Sequence, residues 1–232
     1  MVGNAGKLVT CRRFSIYREI RKEPPMANPW ETIGLDVYER HMSLDSVRQL
    51  QTLNRMMRDQ LEAFPVRSAM ILGVAGGNGL EHVRREKYEA VWGVDLNRDY
   101  LRSSAERFPD LEGVLRLLPV DLTKEPALLP HAEFVIANLL IEYIGYAAFQ
   151  KALEQIRPNY VSCVIQINDG TGEWVSDSPY LHAFDGLDAI HCQMEPDTLT
   201  AKMEAIGYRQ ILRDSEPLPN GKAFLRLDYR RS

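Results

Sequence analysis

Cysteine is scarce in this chain of 232 residues. Cys11, Cys163 and Cys192 are odd in number and share no C-x-x-C spacing. That excludes a disulfide framework and points to a reducing compartment, the cytoplasm. The five histidines (His41, His82, His131, His182 and His191) lack zinc-ligand spacing, so no metal site is expected. Neither charge sign dominates. With 28 Lys and Arg against 32 Asp and Glu, the net charge is −4, and no global basic field exists to attract nucleic acid. No run approaches the ~20 apolar residues of a membrane-spanning helix. The opening stretch "MVGNAGKLVTCRRFSIYREIRKEPP" also lacks the continuous apolar core of a secretory signal. No membrane association is expected.

What is present is enough apolar material for a sizeable core, 45% of residues. The composition divides the chain in three. Residues 1–27 read as a flexible basic extension, either a solvated tail or a nucleic-acid arm, and Met26 after Pro24-Pro25 is a candidate alternative start. Residues 28–64 read as an N-terminal helical cap. A short helical piece covers Asp36 to Met42, and a longer helix over 43–64 carries Val47, Leu50, Leu53, Met57 and Leu61 on one face. Ser43 or Asp45 would cap this helix and Pro65 would stop it.

Residues 65–232 read as one α/β domain. "AMILGV" (69–74) is an apolar run of strand length. "AVWGV" (90–94), "GVLRLLPV" (113–120), "AEFVIAN" (132–138) and "YVSCVIQI" (160–167) follow, with helical segments near 98–108 and 144–156. Strand alternating with helix implies a doubly wound, mostly parallel sheet. The end of the chain departs from that alternation. A helix from Pro196-Asp197 to Gly207 precedes "YRQILRDSE" and "KAFLRLDYR", which flank the turn "PLPNG" and predict an antiparallel hairpin.

After the first strand comes "LGVAGGNGLEH" (72–82), four glycines and an alanine within eight positions. Such bare backbone suits close approach of a nucleotide-like cofactor. A phosphate-cradling loop would need G-x-x-x-x-G-K-[ST], and Asn78 stands at the sixth position from Gly73. A dinucleotide fingerprint taken from Gly77 and Gly79 puts His82 where the third glycine belongs. Neither fits.

"ILGVAGGNG" resembles instead the first motif of the class I S-adenosylmethionine-dependent methyltransferases, (V/I)LD(L/V)GxGxG. Ala75 stands at the first glycine and Gly73 replaces the motif's acid. Asp95 ends the next strand in "VWGVDLNRDYL", Asp121 follows the third in "LLPVDLT", and "FVIANLLIEYIG" is similar to the family's fourth motif, with Tyr143 at its His position. The resemblance covers roughly 65 to 232 and implies a seven-stranded, mostly parallel sheet ending in the antiparallel hairpin. It implies S-adenosyl-L-methionine as cofactor and S-adenosyl-L-homocysteine as product. The cofactor site would comprise Gly73, Ala75, Gly77, Gly79, Asp95, Leu96, Asp121, Leu122 and Asn138, with Tyr38 from the cap; Tyr38 and His41 fall on one helix face. Asp95 would accept from both ribose hydroxyls, and Asp121 with adjacent backbone would read the adenine amino group.

Methyl transfer from a sulfonium needs mainly proximity and alignment. A base is required only if the acceptor loses a proton. A small-molecule acceptor is expected above the fourth and fifth strands, against Glu142, Tyr143, Trp174 and Tyr180. The long stretch 168–196 also supplies His182 and His191, either of which is a candidate base. Two alternatives stand beside this reading. One is an RNA or protein methyltransferase using the basic tail and Arg84-Arg85-Lys87. The other is a non-catalytic protein that keeps the fold, for which Gly73 is the signature. Oligomeric state stays open; a homodimer through the last-strand edge or the N-terminal extension is compatible with the sequence.

Overall fold

The sheet forms around "SAMIL", which is strand β1 (Ser68–Leu72), buried from Ala69 onward. A strand apolar on both faces must be covered on both, so it lies centrally. A computed structural model describes residues 28–168 and 174–232 and shows this arrangement. β1 pairs in parallel with β2 (Ala90–Asp95) and β4 (Phe134–Asn138). β3 (Leu115–Pro119) extends one side. On the other side lie β5 (Tyr160–Ile167) and the hairpin of β6 (Tyr208–Pro217) and β7 (Ala223–Arg231), with β7 antiparallel to both β5 and β6. The order is β3-β2-β1-β4-β5-β7-β6, the class I methyltransferase topology. The exposed edge strand β6 carries Arg209, Arg213, Asp214 and Glu216, charges that discourage edge-to-edge pairing. One apolar cluster fills the face covered by α4 (Ile141–Ile156) and α5 (Pro196–Ala205). A second lies against α3 (Arg98–Arg107) and α2 (Gln49–Ala63).

Several boundaries differ from the sequence reading. The helix expected over 43–64 is two elements. α1 (Leu35–Ser43) ends where that helix was to begin, and α2 starts at Gln49 after Arg48 adopts a left-handed φ of 50°. Residues 44–48 turn back on Leu44, whose carbonyl accepts from the amides of Val47 and Arg48. That turn buries Val47 completely, which a continuous helix would not do, and neither Ser43 nor Asp45 acts as an N-cap. The stop before Pro65 is as expected, with Phe64 extended. Between β1 and β2, and between β3 and β4, the helical pieces are single 3-10 turns at Leu80–His82 and Pro126–Leu128. β3 starts at Leu115 because Gly113, at φ 85°, belongs to the preceding turn. α4 begins three residues early, at Ile141, and is interrupted at Gly145. The basic extension at 1–27 and the alternative start at Met26 lie outside the described residues.

Candidate functional site

Parallel strands β1, β2, β3 and β4 all end at one edge, and the residues at and after their ends build a cleft of about 670 Å³ there. The first wall is the glycine loop. Gly73 has φ 72°, and a Cβ on it would lie 3.1 Å from Leu140 Cδ1. An acid at this position, as the resemblance would have it, meets both a strained backbone and a crowded neighbour. Ala75 is also left-handed, at φ 47°. Its amide donates to Asp95 Oδ2 at 2.9 Å, while the Asn97 amide donates to Oδ1 at 2.8 Å. Burial pushes the Asp95 carboxyl up to about 6, and the Asn97, Ala75 and Leu96 amides restrain that rise.

Leu96, Asp121, Leu122 and Asn138 line the same cleft, as does Tyr38 of the cap. Thr123 and Lys124 hold the Asp121 carboxyl, Lys124 Nζ at 2.7 Å, and lower its pKa against the opposing effect of burial. Asn138 is fixed from behind by a reciprocal amide pair with Gln60 of α2, at 2.8 and 2.9 Å. Gln60 also donates to Ser162, which donates in turn to Asp228, itself forked by Arg226.

Gly77 and Gly79 are placed differently. Neither lines the cleft. A Cβ on Gly77 would meet Phe108 at 2.7 Å, and one on Gly79 would meet Met57 at 2.5 Å. Their bareness lets the loop pack tightly on the end of α3 and on α2. A smaller recess beside the loop is lined by Glu39, Gly76 and Asn78, among others.

The cap covers the cleft through named contacts. Asn97 donates to the Trp30 carbonyl at 2.9 Å, and the Tyr100 hydroxyl donates to the Ile33 carbonyl at 2.8 Å. Arg107 forks onto Glu39 and reaches the Gly76 carbonyl at 3.1 Å.

A second cavity of about 550 Å³ adjoins the cleft and shares Trp30, Tyr38, Leu139 and Tyr143 with it. Its own walls include Glu142, Gln166, Trp174, Phe184, His41 and His191. Trp174 stacks on His191 with centroids 3.8 Å apart, and Tyr143 stands edge-on to both. Glu142 is 4% exposed. Its Oε1 accepts from the Gln166 amide at 3.1 Å, and its Oε2 has no partner among the described residues. Burial pushes this carboxyl up to about 7, with its own amide and that of Gln166 restraining the rise.

Of the remaining candidates, His191 lines this cavity and His182 does not. The His182 side chain is 92% exposed and faces Asp185, because it lies on the solvent side of the 3-10 stretch Leu181–Ala189. Tyr180 packs on the Ile33–Phe184–Leu187 cluster, outside both cavities. Sequence reasoning passed over Trp30, Glu39 and Gln166. Gln166 had a signal, an amide side chain near the end of an otherwise apolar strand. Among the described residues no cluster of His, Cys, Asp and Glu fits a metal ion, and no helix is long and apolar enough to cross a membrane.

No protein-family model matches the chain, and no curated protein matches it by sequence. Solved structures do match by shape. The N-methyltransferase NodS from Bradyrhizobium japonicum WM9, in complex with S-adenosyl-L-homocysteine, superposes with a TM-score of 0.62 at 11% identity, over 88% of this chain and 99% of that one. The 1,6-didemethyltoxoflavin-N1-methyltransferase of Burkholderia thailandensis gives 0.59 at 16% identity, covering 90% and 93%. The [4+2]-cyclase SpnF gives 0.59 at 10%, covering 80% and 82%. Two methyltransferases and a cyclase share this architecture, so shape alone does not choose the chemistry. With its strand order and terminal hairpin, the chain has the class I methyltransferase fold.

Proposed function

We propose that this protein is an S-adenosylmethionine-dependent methyltransferase of a small molecule. The observation that carries the reading is the pair of adjoining cavities, one with a partly buried, amide-anchored carboxylate at the end of β2 and the other walled by aromatic rings. The donor set of the first suits the cofactor. Asp95 has lone pairs left for two ribose hydroxyls, and Leu96, Leu122 and Ile144 provide apolar flanks for a purine. The Asp121 carboxylate stands beside them. The recess with Glu39 and Asn78 offers oxygens to an ammonium group, the role left open by Gly73. When bound there, the cofactor supplies an electrophilic methyl group. The protein's own part is to fix the acceptor in line with it and to exclude water, through Tyr38, Tyr143 and Trp30 between the cavities.

A small acceptor is favoured over RNA because Arg84, Arg85 and Lys87 precede β2 and so lie at the opposite edge of the sheet. Lys87 is also committed to the Leu61 carbonyl at 2.5 Å. Free Cys163 and Cys192 support a cytoplasmic setting. A second reading, a protein that keeps the fold for other chemistry, draws on Gly73 and on the similarity to SpnF.

Calorimetric titration of S-adenosylmethionine and S-adenosylhomocysteine separates the two. Micromolar binding that weakens at least tenfold in Asp95→Ala, about 1.4 kcal/mol, is the expected result. Absence of binding to the wild type overturns the methyl-transfer reading.

A further inference from the structure

Glu142 is the buried group that cofactor binding leaves unused. It lies at the start of α4, 4% exposed, and lines the second cavity. One oxygen is held by the Gln166 amide, which fixes the direction of the other. That other oxygen, Oε2, has no hydrogen-bond partner among the described residues. A buried carboxyl oxygen left unpaired is costly and is normally satisfied. In a cavity able to admit a ligand, the ligand is the natural donor.

The walls define what else the ligand must be. Tyr143, Trp174, His191 and Phe184 present ring surface on several sides, which suits a flat apolar body. Aromatic walls with one carboxyl also suit a cation. Against a cation stands Lys222, whose ammonium lies close enough to depress the pKa of both His41 and His191 in this cavity, adding to the effect of their burial. A neutral donor meets no such repulsion.

We propose that the second cavity binds a neutral, planar aromatic or heteroaromatic methyl acceptor whose N–H or O–H donates to Glu142 Oε2, and that Glu142 takes that proton during transfer. The proposal rests on the methyl-transfer reading above. The acceptor atom forms its bond to the methyl carbon as the carbon–sulfur bond breaks. The electron pair of that bond stays on sulfur, and the proton of the acceptor passes to Oε2. The cofactor leaves as the neutral thioether, and Glu142 returns the proton to solvent when the site opens.

Among the described residues, the titratable groups near Glu142 are Tyr143 on its own helix and Cys163 on β5, with His41 on α1 and His191 beyond the 3-10 stretch on the walls of the same cavity; Lys222, before β7, acts on the two imidazoles. Burial raises the tyrosine and thiol pKa values and lowers those of the imidazoles. Of these groups Glu142 is the one raised toward neutrality, to about 7.

The probes are indole, 3-methylindole and 1-methylindole, of which the last lacks the N–H, with benzyltrimethylammonium as the cation. Each is titrated by calorimetry into the full chain, with and without S-adenosylhomocysteine. Indole and 3-methylindole are expected to bind at least tenfold more tightly than 1-methylindole, and more tightly at pH 8 than at pH 5.5. In Glu142→Gln, where an amide donor replaces Oε2, the three indoles should converge and the pH dependence should vanish. If that variant does not fold, discrimination among the indoles by the wild type carries the test alone. Equal binding of the three, binding of none, or tighter binding of the cation overturns the proposal. The two readings fail separately. A protein that binds S-adenosylhomocysteine without discriminating among the indoles loses only this proposal. One that discriminates among them without binding the cofactor product loses methyl transfer and keeps the N–H site.

Discussion

The cleft beside the glycine loop and the cavity beneath residues 174–191 share Trp30, Tyr38, Leu139 and Tyr143, yet they draw their other walls from different material. The cleft is made where successive parallel strands end. Its key groups are backbone turns and the acids Asp95 of β2 and Asp121 after β3, each within a few residues of the strand that positions it. The cavity gathers side chains from α1, α4, β5 and the long segment before α5, with no spacing that connects them. Their two acids are anchored differently. Asp95, partly buried, is held by two backbone amides, with its pKa raised to about 6. Glu142 keeps one oxygen unpaired and is pushed to about 7. One acid has an amide on each oxygen; the other has one oxygen without a partner among the described residues.

The strongest way to break this comparison is to disturb the frame of the cleft without touching its lining. Gly79 has φ 93°, and a Cβ there would sit 2.5 Å from Met57 Cγ. Left-handed strain and overpacking together cost about 3 kcal/mol. Gly79→Ala should therefore lower the urea midpoint by that equivalent, measured by circular dichroism. A loss below about 0.5 kcal/mol, the scatter of ordinary surface changes, would mean that the loop is not locked against α2.

Gly79 also shows what was legible. The glycine cluster predicts a loop for close approach of a cofactor, and two of its glycines approach Phe108 and Met57 rather than the cleft. A sequence displays the absence of a side chain and not what fills the space. The strand order and hairpin were readable because apolar runs and turn residues are local signals. The break at 44–48 was not, since Leu44 and Val47 fit a helical face and only tertiary burial of Val47 favours the turn. In the second cavity Tyr143 is marked by its place in the fourth motif, and Trp174 by the length and aromatic content of the stretch 168–196. His182 was included because nothing in the chain tells the inward from the outward side of an irregular stretch.

Glu142 sharpens the comparison in the stability of the protein itself. Its folded pKa, about 7, lies above the ordinary 4.5. The folded state thus binds a proton that the unfolded state has released, and stability falls as pH rises between those two values. The full fall is about 3 kcal/mol, at 1.36 kcal/mol per unit. Glu142→Gln removes it and leaves an unpaired amide N–H costing about 1 kcal/mol. The variant should be about 2 kcal/mol more stable than wild type at pH 8, and slightly less stable at pH 5, by chemical denaturation at each pH. Parallel curves for the two proteins would show that Oε2 already has a partner in solution.

The smallest effect concerns the cap, which closes both sites at once. Arg107 forks onto Glu39 above Gly76, but the Arg107 side chain is 44% exposed and that of Glu39 23%, so water screens the pair. Such a pair contributes less than about 1 kcal/mol, and Glu39→Gln should leave the unfolding midpoint almost unchanged. Local opening is where it should register. With one of the ties from α1 to the glycine loop weakened, amides of residues 35–43 should exchange with deuterium several-fold faster, while those of β1 and β4 keep their rates. High salt on the wild type should reproduce part of that change, because it screens the same pair. Unchanged exchange in α1 would assign the cap to the remaining contacts, the Tyr100 hydroxyl on Ile33, the Asn97 amide on Trp30 and His41 Nδ1 with the Ser178 hydroxyl at 2.7 Å. The first two fasten the cap from the cleft and the third from the segment that walls the second cavity, so the two sites would open together.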